Sequence, residues 1–341
     1  MSGIIRQMLN QLHALPPGLL SLEAEHLYQA LNGPTLIHLP GRREPPLFVS
    51  VLLHGNETTG WEAMRGLLQR YREKVLPRAL SILIGNIDAA RYRKRHLPHQ
   101  PDYNRIWSGE GTAEHAIMRG VLEEMQRRGV FASVDVHNNT GRNPHYACVK
   151  RLDPRFLQLA TLFSRTVVYF LRPMGVQSMA FASLCPAVTI ECGRPSEIYG
   201  VQHALEYLEA CLHLLEVPTH PVAASDLDLF HTVAVVKVLD HVSLGIGQGR
   251  GHDLNFNLHL EIDRLNFREL PVGTSLGIVG NGLGMPLDVR NEAGEEIGEQ
   301  FFMIEDRELR IRRPVIPAML TLDCEIIHQD CLCYLMERYS L

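Results

Sequence analysis

Val49-Ser-Val-Leu-Leu-His54-Gly-Asn-Glu57-Thr-Thr-Gly60 is the stretch on which the reading of this chain turns. Leu47 to Leu53 is an apolar run of strand length ending at His54. Gly55-Asn56 is a turn signal, and Glu57 comes just before residues 58–73, where Trp61, Met64, Leu68 and Tyr71 form one helical stripe. Strand, turn and helix in that order make the first half of a crossover unit, and in a parallel α/β sheet the carboxyl ends of the strands face the ligand crevice. His54 and Glu57 are therefore expected to project into one crevice. Imidazole nitrogen and carboxylate oxygen both bind Zn²⁺ at about 2.0–2.2 Å. Taken alone, His-x-x-Glu also describes a loop histidine beside a helix-capping acid.

Outward from this stretch, short apolar runs alternate with helical stripes. Leu80–Ile87, Ala132–His137, Thr166–Leu171 and Ala187–Cys192 read as strands. Residues 112–128 and 197–215 read as helices, the second with Val201, Leu205, Leu208, Leu212 and Leu215 at helical spacing. That alternation predicts a largely parallel sheet covered on both faces. Glu216-Val-Pro-Thr-His-Pro-Val222 reads as a linker, because its two prolines stop the helix. Beyond it the texture changes to short β-like runs at 232–239, 275–279, 311–315 and 319–327, with dense turn signals. An α/β domain over 1–220 and a smaller β-rich domain over 225–341 are expected. Residues 1–20 read as an amphipathic helix with Ile4, Ile5, Met8, Leu9 and Leu12 on one side, and not as a secretory signal.

Composition narrows the function classes. The 341 residues are 45% hydrophobic and 21% charged, with a net charge of −5, which disfavours nucleic acid as a partner. No apolar run reaches the roughly 18 residues of a membrane span. Seven scattered cysteines, without a Cys-x-x-Cys pair, read as free thiols of a reducing compartment, so a cytoplasmic location is expected. Cys331-x-Cys333 is a weak metal candidate, since at strand spacing the two simply share a face. Gly245-Ile-Gly-Gln-Gly-Arg-Gly251 opens no helix and reads as a loop, and His252 beside it as structural or solvent-exposed. No Gly-x-Ser-x-Gly elbow is present, which disfavours a serine nucleophile.

A catalytic zinc needs a third protein ligand and an open position. Ser133-Val-Asp-Val-His137 offers one at a second strand end, and alternation puts Asp135 on the same face as His137, where it could orient a ligand. A third strand, Ala187-Val-Thr-Ile-Glu191, closes on a carboxylate after mostly apolar residues. A buried acid usually has a partner or a task, and the alternatives here are a general base beside the metal or a pair with Arg194. Residues 88–105 are basic, with Arg91, Arg93, Lys94, Arg95 and Arg105 against Asp88 and Asp102, 5 − 2 = +3. An anionic small molecule fits such arginines, while Arg91, Arg93 and Lys94 read better as solvated.

His54-Gly-Asn-Glu57, Asn86 closing a strand, Asp102-Tyr-Asn-Arg105, Asp135-Val-His137 and Glu191-Cys-Gly, in this order, resemble the succinylglutamate desuccinylase/aspartoacylase family of the zinc carboxypeptidase-like superfamily. The resemblance spans roughly residues 34–216. It implies a zinc-carboxypeptidase-like α/β fold, with a mixed, largely parallel sheet flanked by helices and a smaller C-terminal β-rich domain that shapes the substrate entrance. It implies one Zn²⁺ per chain on His54, Glu57 and His137, with Glu191 as the catalytic acid/base. Asn104 and Arg105 would bind a substrate carboxylate. Arg95 would polarise the scissile carbonyl, with Arg93 as the competitor for that place. The departures are Tyr103, where Leu or Met is usual, and Asn138-Asn-Thr-Gly-Arg-Asn143 after the second histidine. The implied reaction is hydrolysis of the amide of a small anionic N-acyl amino acid, of N-succinyl or N-acetyl type, by a chain that could self-associate. The alternatives are a zinc carboxypeptidase acting on a small peptide and a ligand-binding homologue without catalysis.

Overall fold

A computed structural model describes residues 9–247 and 255–341. The chain divides into two compact units. The first holds residues up to Asn138, His145–Tyr169 and Pro173–Asp228; the second holds Asn139–Pro144, Phe170–Arg172 and Leu229–Leu341.

The first unit is built on a mixed sheet. Its strands are β1 (Asn10–Leu12), β2 (Thr35–Leu39), β3 (Leu47–Val51), β4 (Leu80–Ile84), β5 (Ala132–His137), β6 (Tyr146–Val149), β7 (Thr166–Tyr169) and β8 (Ala187–Glu191), in the spatial order β1-β2-β4-β3-β5-β8-β6-β7. The centre, β4-β3-β5-β8, is parallel; β2 joins β4 and β6 joins β8 antiparallel. The central strands are buried along their whole length, which is why they read as continuous apolar runs and not as alternation.

Helices flank both faces. On one, α1 (Thr59–Arg70) lies so close that a Cβ on Gly60 would come 3.1 Å from Val51 and Val136. Trp61, Met64, Leu67 and Leu68 are the buried stripe of α1, whose partner on this side is α6 (Ile198–His213). The short α2 (Ile87–Arg91) follows β4, with Asn86 accepting the Ala89 N–H at its start. Next come α3 (Ala113–Arg128) and α4 (Pro154–Thr161). On the opposite face α5 (Gln177–Phe181) packs against β5 and β8, and its Phe181 ring stacks on Phe48 at 4.3 Å between centroids. Strand alternation separates the two sides: Val49, Val51, Val134 and Val136 face α1, while Phe48, Ser50, Ser133, Asp135 and His137 face α5.

In the second unit, β9 (Asp228–Val238) pairs antiparallel with β13 (Leu287–Arg290) and β17 (Cys333–Arg338), and β17 with β16 (Ile316–Ala318). A smaller sheet runs β10 (Leu244–Ile246), β11 (Phe256–Leu258), β12 (Ser275–Val279), β15 (Glu308–Ile311), β14 (Phe302–Glu305). The short helices α7 (Gly298–Phe301) and α8 (Cys324–Gln329) complete the unit. Phe256, Ile262, Val289, Leu309 and Leu332 anchor its apolar core. Residues Asn139–Pro144 belong here: Thr140 bonds Thr321 at 2.8 Å, and Gly141 has its Cα against the Leu320 carbonyl, where a Cβ would come within 1.9 Å.

Three expectations change. The helix over 1–20 is not formed in its described part: Asn10–Leu12 is a strand parallel to β2, and residues 1–8 lie outside the described residues. Leu12 of that apolar stripe is instead paired in register with Ile37 of β2. The β-like run 319–327 contains a helix from Cys324, because Asp323 accepts the backbone N–H groups of Glu325 and Ile326 and so starts α8. The run 311–315 is divided between the end of β15 and the approach to β16. The seven cysteines are free, but Cys148 and Cys324 are half-buried and the other five buried. Most of the Gly-rich loop, Gln248–Gly251, and His252 lie outside the described residues.

Candidate metal centre and active site

The site is assembled at the carboxyl ends of β3, β5 and β8. After β3 the chain turns through Leu52, at φ 57°, to His54. Gly55 is required there: a Cβ would lie 2.2 Å from the Ala90 nitrogen of α2. The Gly55 N–H donates to the Arg95 carbonyl at 3.1 Å, so this turn is fastened to the segment that carries the arginine.

His54, Glu57 and His137 are all buried, and one donor atom from each lies within 4.8 Å of the others. Nδ1 of His54 is 2.7 Å from Glu57 Oε1, and Nδ1 of His137 is 2.7 Å from Glu57 Oε2. Each Nε2 faces a different carboxylate: His54 meets Asp102 Oδ1 at 3.0 Å, and His137 meets Asp135 Oδ2 at 2.8 Å. Two imidazoles each held from behind by a carboxylate, with their remaining nitrogens converging on a third, is the donor chemistry of a divalent metal site with two nitrogens and one oxygen. Zinc fits this set.

The electrostatics follow from this packing. Burial opposes charge on Glu57, but the two histidines outweigh it and hold its carboxyl below the usual range. Burial likewise resists ionisation of Asp102, yet Arg95 and His54 hold its carboxyl well below the ordinary value. His137 is pushed well above its ordinary value, because Asp135 and Glu57 together overcome the burial that lowers it. Burial and Arg95 lower His54, and Glu57 with Asp102 reverse them to leave it raised.

Arg95 is 6% exposed and forks onto Asp102 Oδ2 through Nη2 at 2.8 Å and Nε at 3.2 Å, with Nη1 3.8 Å from Glu57. Arg93, its competitor in the sequence, has a side chain 77% exposed and paired with Glu25. Arg91 stacks over Tyr28. Asn104 Nδ2 lies 3.0 Å from His137 Nε2, while its Oδ1 accepts the Gln177 N–H at 2.9 Å. Arg105 is half-buried and donates to the Asn104 carbonyl. Glu191, 8% exposed, is the Cα partner of His137 on one side and of Tyr146 on the other. The structure thus gathers His54, Glu57, Arg95, Asn104 and His137 into one cluster, with Glu191 in register beside His137.

Two residues reach this cluster that sequence reasoning gave no role. Asp102 opens the Asp102-Tyr-Asn-Arg105 motif and counts as a charge of the basic stretch, but nothing in local spacing ties it to His54, 48 positions earlier. Asn138 donates its backbone N–H to Glu57 Oε2 at 3.0 Å, accepts from the Thr59 N–H at 3.2 Å and donates to the Gly193 carbonyl at 2.9 Å. It joins the ends of β3, β5 and β8, and its only sequence signal was its place directly after His137.

Residues 44–204 match the family model described as the succinylglutamate desuccinylase/aspartoacylase catalytic domain. Among solved structures, the succinylglutamate desuccinylase of Chromobacterium violaceum is 16% identical, over 88% of this chain and 87% of that one, with a TM-score of 0.55. Succinylglutamate desuccinylase from Vibrio parahaemolyticus gives 13% identity, 89% and 86% coverage and a TM-score of 0.58. Murine aminoacylase 3 gives 15%, 87% and 97%, and 0.53. At these identities the likeness is one of fold. No curated protein sequence matches the chain. Among the described residues, no helix is long and apolar enough to cross a membrane.

Proposed function

We propose, from the match of residues 44–204 to the succinylglutamate desuccinylase/aspartoacylase catalytic-domain model, that the chain is a zinc-dependent deacylase that hydrolyses the amide of a small anionic N-acyl amino acid. The observation that carries this reading is the convergence of His54 Nδ1, His137 Nδ1 and the Glu57 carboxylate, with a carboxylate behind each imidazole.

His54, Glu57 and His137 would hold the metal. When bound, zinc supplies Lewis acidity toward a carbonyl oxygen and lowers the pKa of a coordinated water toward about 7. Glu191, in register with His137, takes the proton of the attacking water and returns it to the departing amine nitrogen. Arg95, fixed by Asp102, presents positive charge to the developing oxyanion. Arg105 and Asn104 anchor a substrate carboxylate, which holds the scissile carbonyl in place. The basic stretch 88–105 in an otherwise acidic chain supports an anionic substrate. The reaction suits a cytoplasmic protein.

The test is a panel of N-acetyl and N-succinyl amino acids, beside blocked dipeptides, given to zinc-loaded and chelated protein. Turnover of acyl amino acids that chelation abolishes is expected. Activity indifferent to chelation removes the metal, and preference for dipeptides makes the chain a peptidase.

A further inference from the structure

Ser50 is the polar residue of β3, otherwise Leu47-Phe-Val and Val51, and it is fully buried. A hydroxyl in such a strand costs free energy unless it is satisfied. It donates to Asp135 Oδ1 at 2.7 Å, and Ser50 and Asp135 are Cα partners in the parallel pairing of β3 with β5. Asp135 is itself fully buried, and its other oxygen, Oδ2, meets His137 Nε2 at 2.8 Å. A continuous path runs from Ser50 through Asp135 and His137 to Glu57.

The contact matters because Nε2 of His137 has two suitors. Asn104 Nδ2 stands 3.0 Å from the same nitrogen. Its amide cannot simply turn over, because Oδ1 is engaged by the Gln177 N–H. An NH₂ group facing Nε2 asks that nitrogen to accept; the Asp135 carboxylate asks it to donate. The two demands select opposite tautomers, and the partner of one ring nitrogen decides which state the other is left in. Only the tautomer with hydrogen on Nε2 leaves a lone pair on Nδ1, the nitrogen that faces Glu57. With Oδ1 pinned by the Ser50 hydroxyl, the Asp135 carboxylate cannot rotate away from Nε2, and the contest is decided in its favour.

We infer that Ser50 is a positioning residue for the metal centre: through Asp135 it fixes the ring orientation and tautomer of His137 that present Nδ1 as a donor. The inference rests on the metal reading of His54, Glu57 and His137.

The experiment measures zinc affinity by competition with a chromophoric chelator, for the wild type, Ser50→Ala, Ser50→Thr, Asp135→Ala and the Ser50→Ala/Asp135→Ala double variant, beside thermal unfolding of each metal-free protein. Ser50→Ala is expected to weaken zinc binding about tenfold, the low end for groups that orient a metal-bound histidine. Ser50→Thr, which keeps the hydroxyl, is expected to restore most of it. In the Asp135→Ala background the serine substitution is expected to cost nothing more, since the pair acts as one unit. Wild-type affinity in Ser50→Ala overturns the inference. So does an equal loss with and without Asp135, or failure of Ser50→Thr to recover in a protein that folds as the wild type does. A wild type that binds no zinc overturns the metal reading along with it, whereas a wild-type site indifferent to Ser50 overturns this inference alone.

Discussion

Glu191 is the direct cross-strand partner of His137, at the shared carboxyl end of β8 and β5. Neighbouring strands lie about 4.7–4.9 Å apart, so an acid at this register stands beside the proposed metal ligand His137 by construction of the sheet and not by the fold of a loop. Glu191→Gln keeps the shape and removes the proton acceptor. The expected result is zinc content equal to the wild type and kcat lower by roughly 10²–10⁴-fold. Near-normal turnover in the zinc-loaded variant takes the acid/base role away from Glu191.

Asp102 couples two members of the site, since His54 Nε2 and the Arg95 fork both end on its carboxylate. Asp102→Asn removes the carboxylate charge onto which Arg95 forks and replaces the acceptor behind His54 with a neutral amide. Zinc affinity is expected to fall about 10–100-fold. Chelator competition reads the metal effect, and kcat/KM on the best acyl amino acid reads that of Arg95. An unchanged zinc affinity removes Asp102 from the support of His54.

Asn138 is 2% exposed and joins the Thr59 N–H to the Gly193 carbonyl through its side chain. In Asn138→Ala both buried backbone groups lose their partner, at about 1–3 kcal/mol for each group left unsatisfied. Urea unfolding is expected to move to a lower midpoint with the same m-value. Because the backbone N–H to Glu57 survives the substitution, zinc affinity is expected to change less than in the Asp102 variant.

His38 gives the protein a pH-dependent stability away from the site. Burial, with Arg128 beside it, pushes its imidazole down to about 4 against the pull of Glu124, and Nδ1 bonds the Ser81 hydroxyl at 2.8 Å. Its pKa is lower folded than unfolded, so between the ordinary histidine value and about 4 the unfolded chain binds the proton that the folded chain refuses. Stability contributed by neutral His38 is complete above about pH 6.5 and is lost as the pH falls toward 4, by at most about 1.4 kcal/mol per pH unit. Denaturant unfolding of wild type and His38→Gln from pH 7 to pH 4.5 is expected to give the flatter profile in the variant. Parallel profiles remove His38 as the source.

The sequence alone carried the strand from Leu47 with its turn and the helix over 58–73, the other two strand ends that close on His137 and Glu191, and the helices over 112–128 and 197–215, each within a few residues of the observed bounds. These are local: a buried parallel strand needs an unbroken apolar run, a flanking helix needs a 3.6-residue stripe, and both are written in consecutive residues. Helix α8 escaped because its signal is a single capping aspartate, Asp323, inside a run whose apolar texture suits a strand equally well.

What the tertiary structure decided is which residues meet. Arg95 and Arg93 are two positions apart in one basic segment, and no pattern separates them; the Gly55 N–H to Arg95 carbonyl bond and the Asp102 fork bring one inward, while the other turns out to Glu25. Asp102, Asn138 and Ser50 are likewise ordinary in sequence. They acquire their places only when β3, β5 and β8 lie side by side, because a hydrogen bond depends on distance and direction in space, and separations of 48, 79 and 85 residues along the chain leave no local trace.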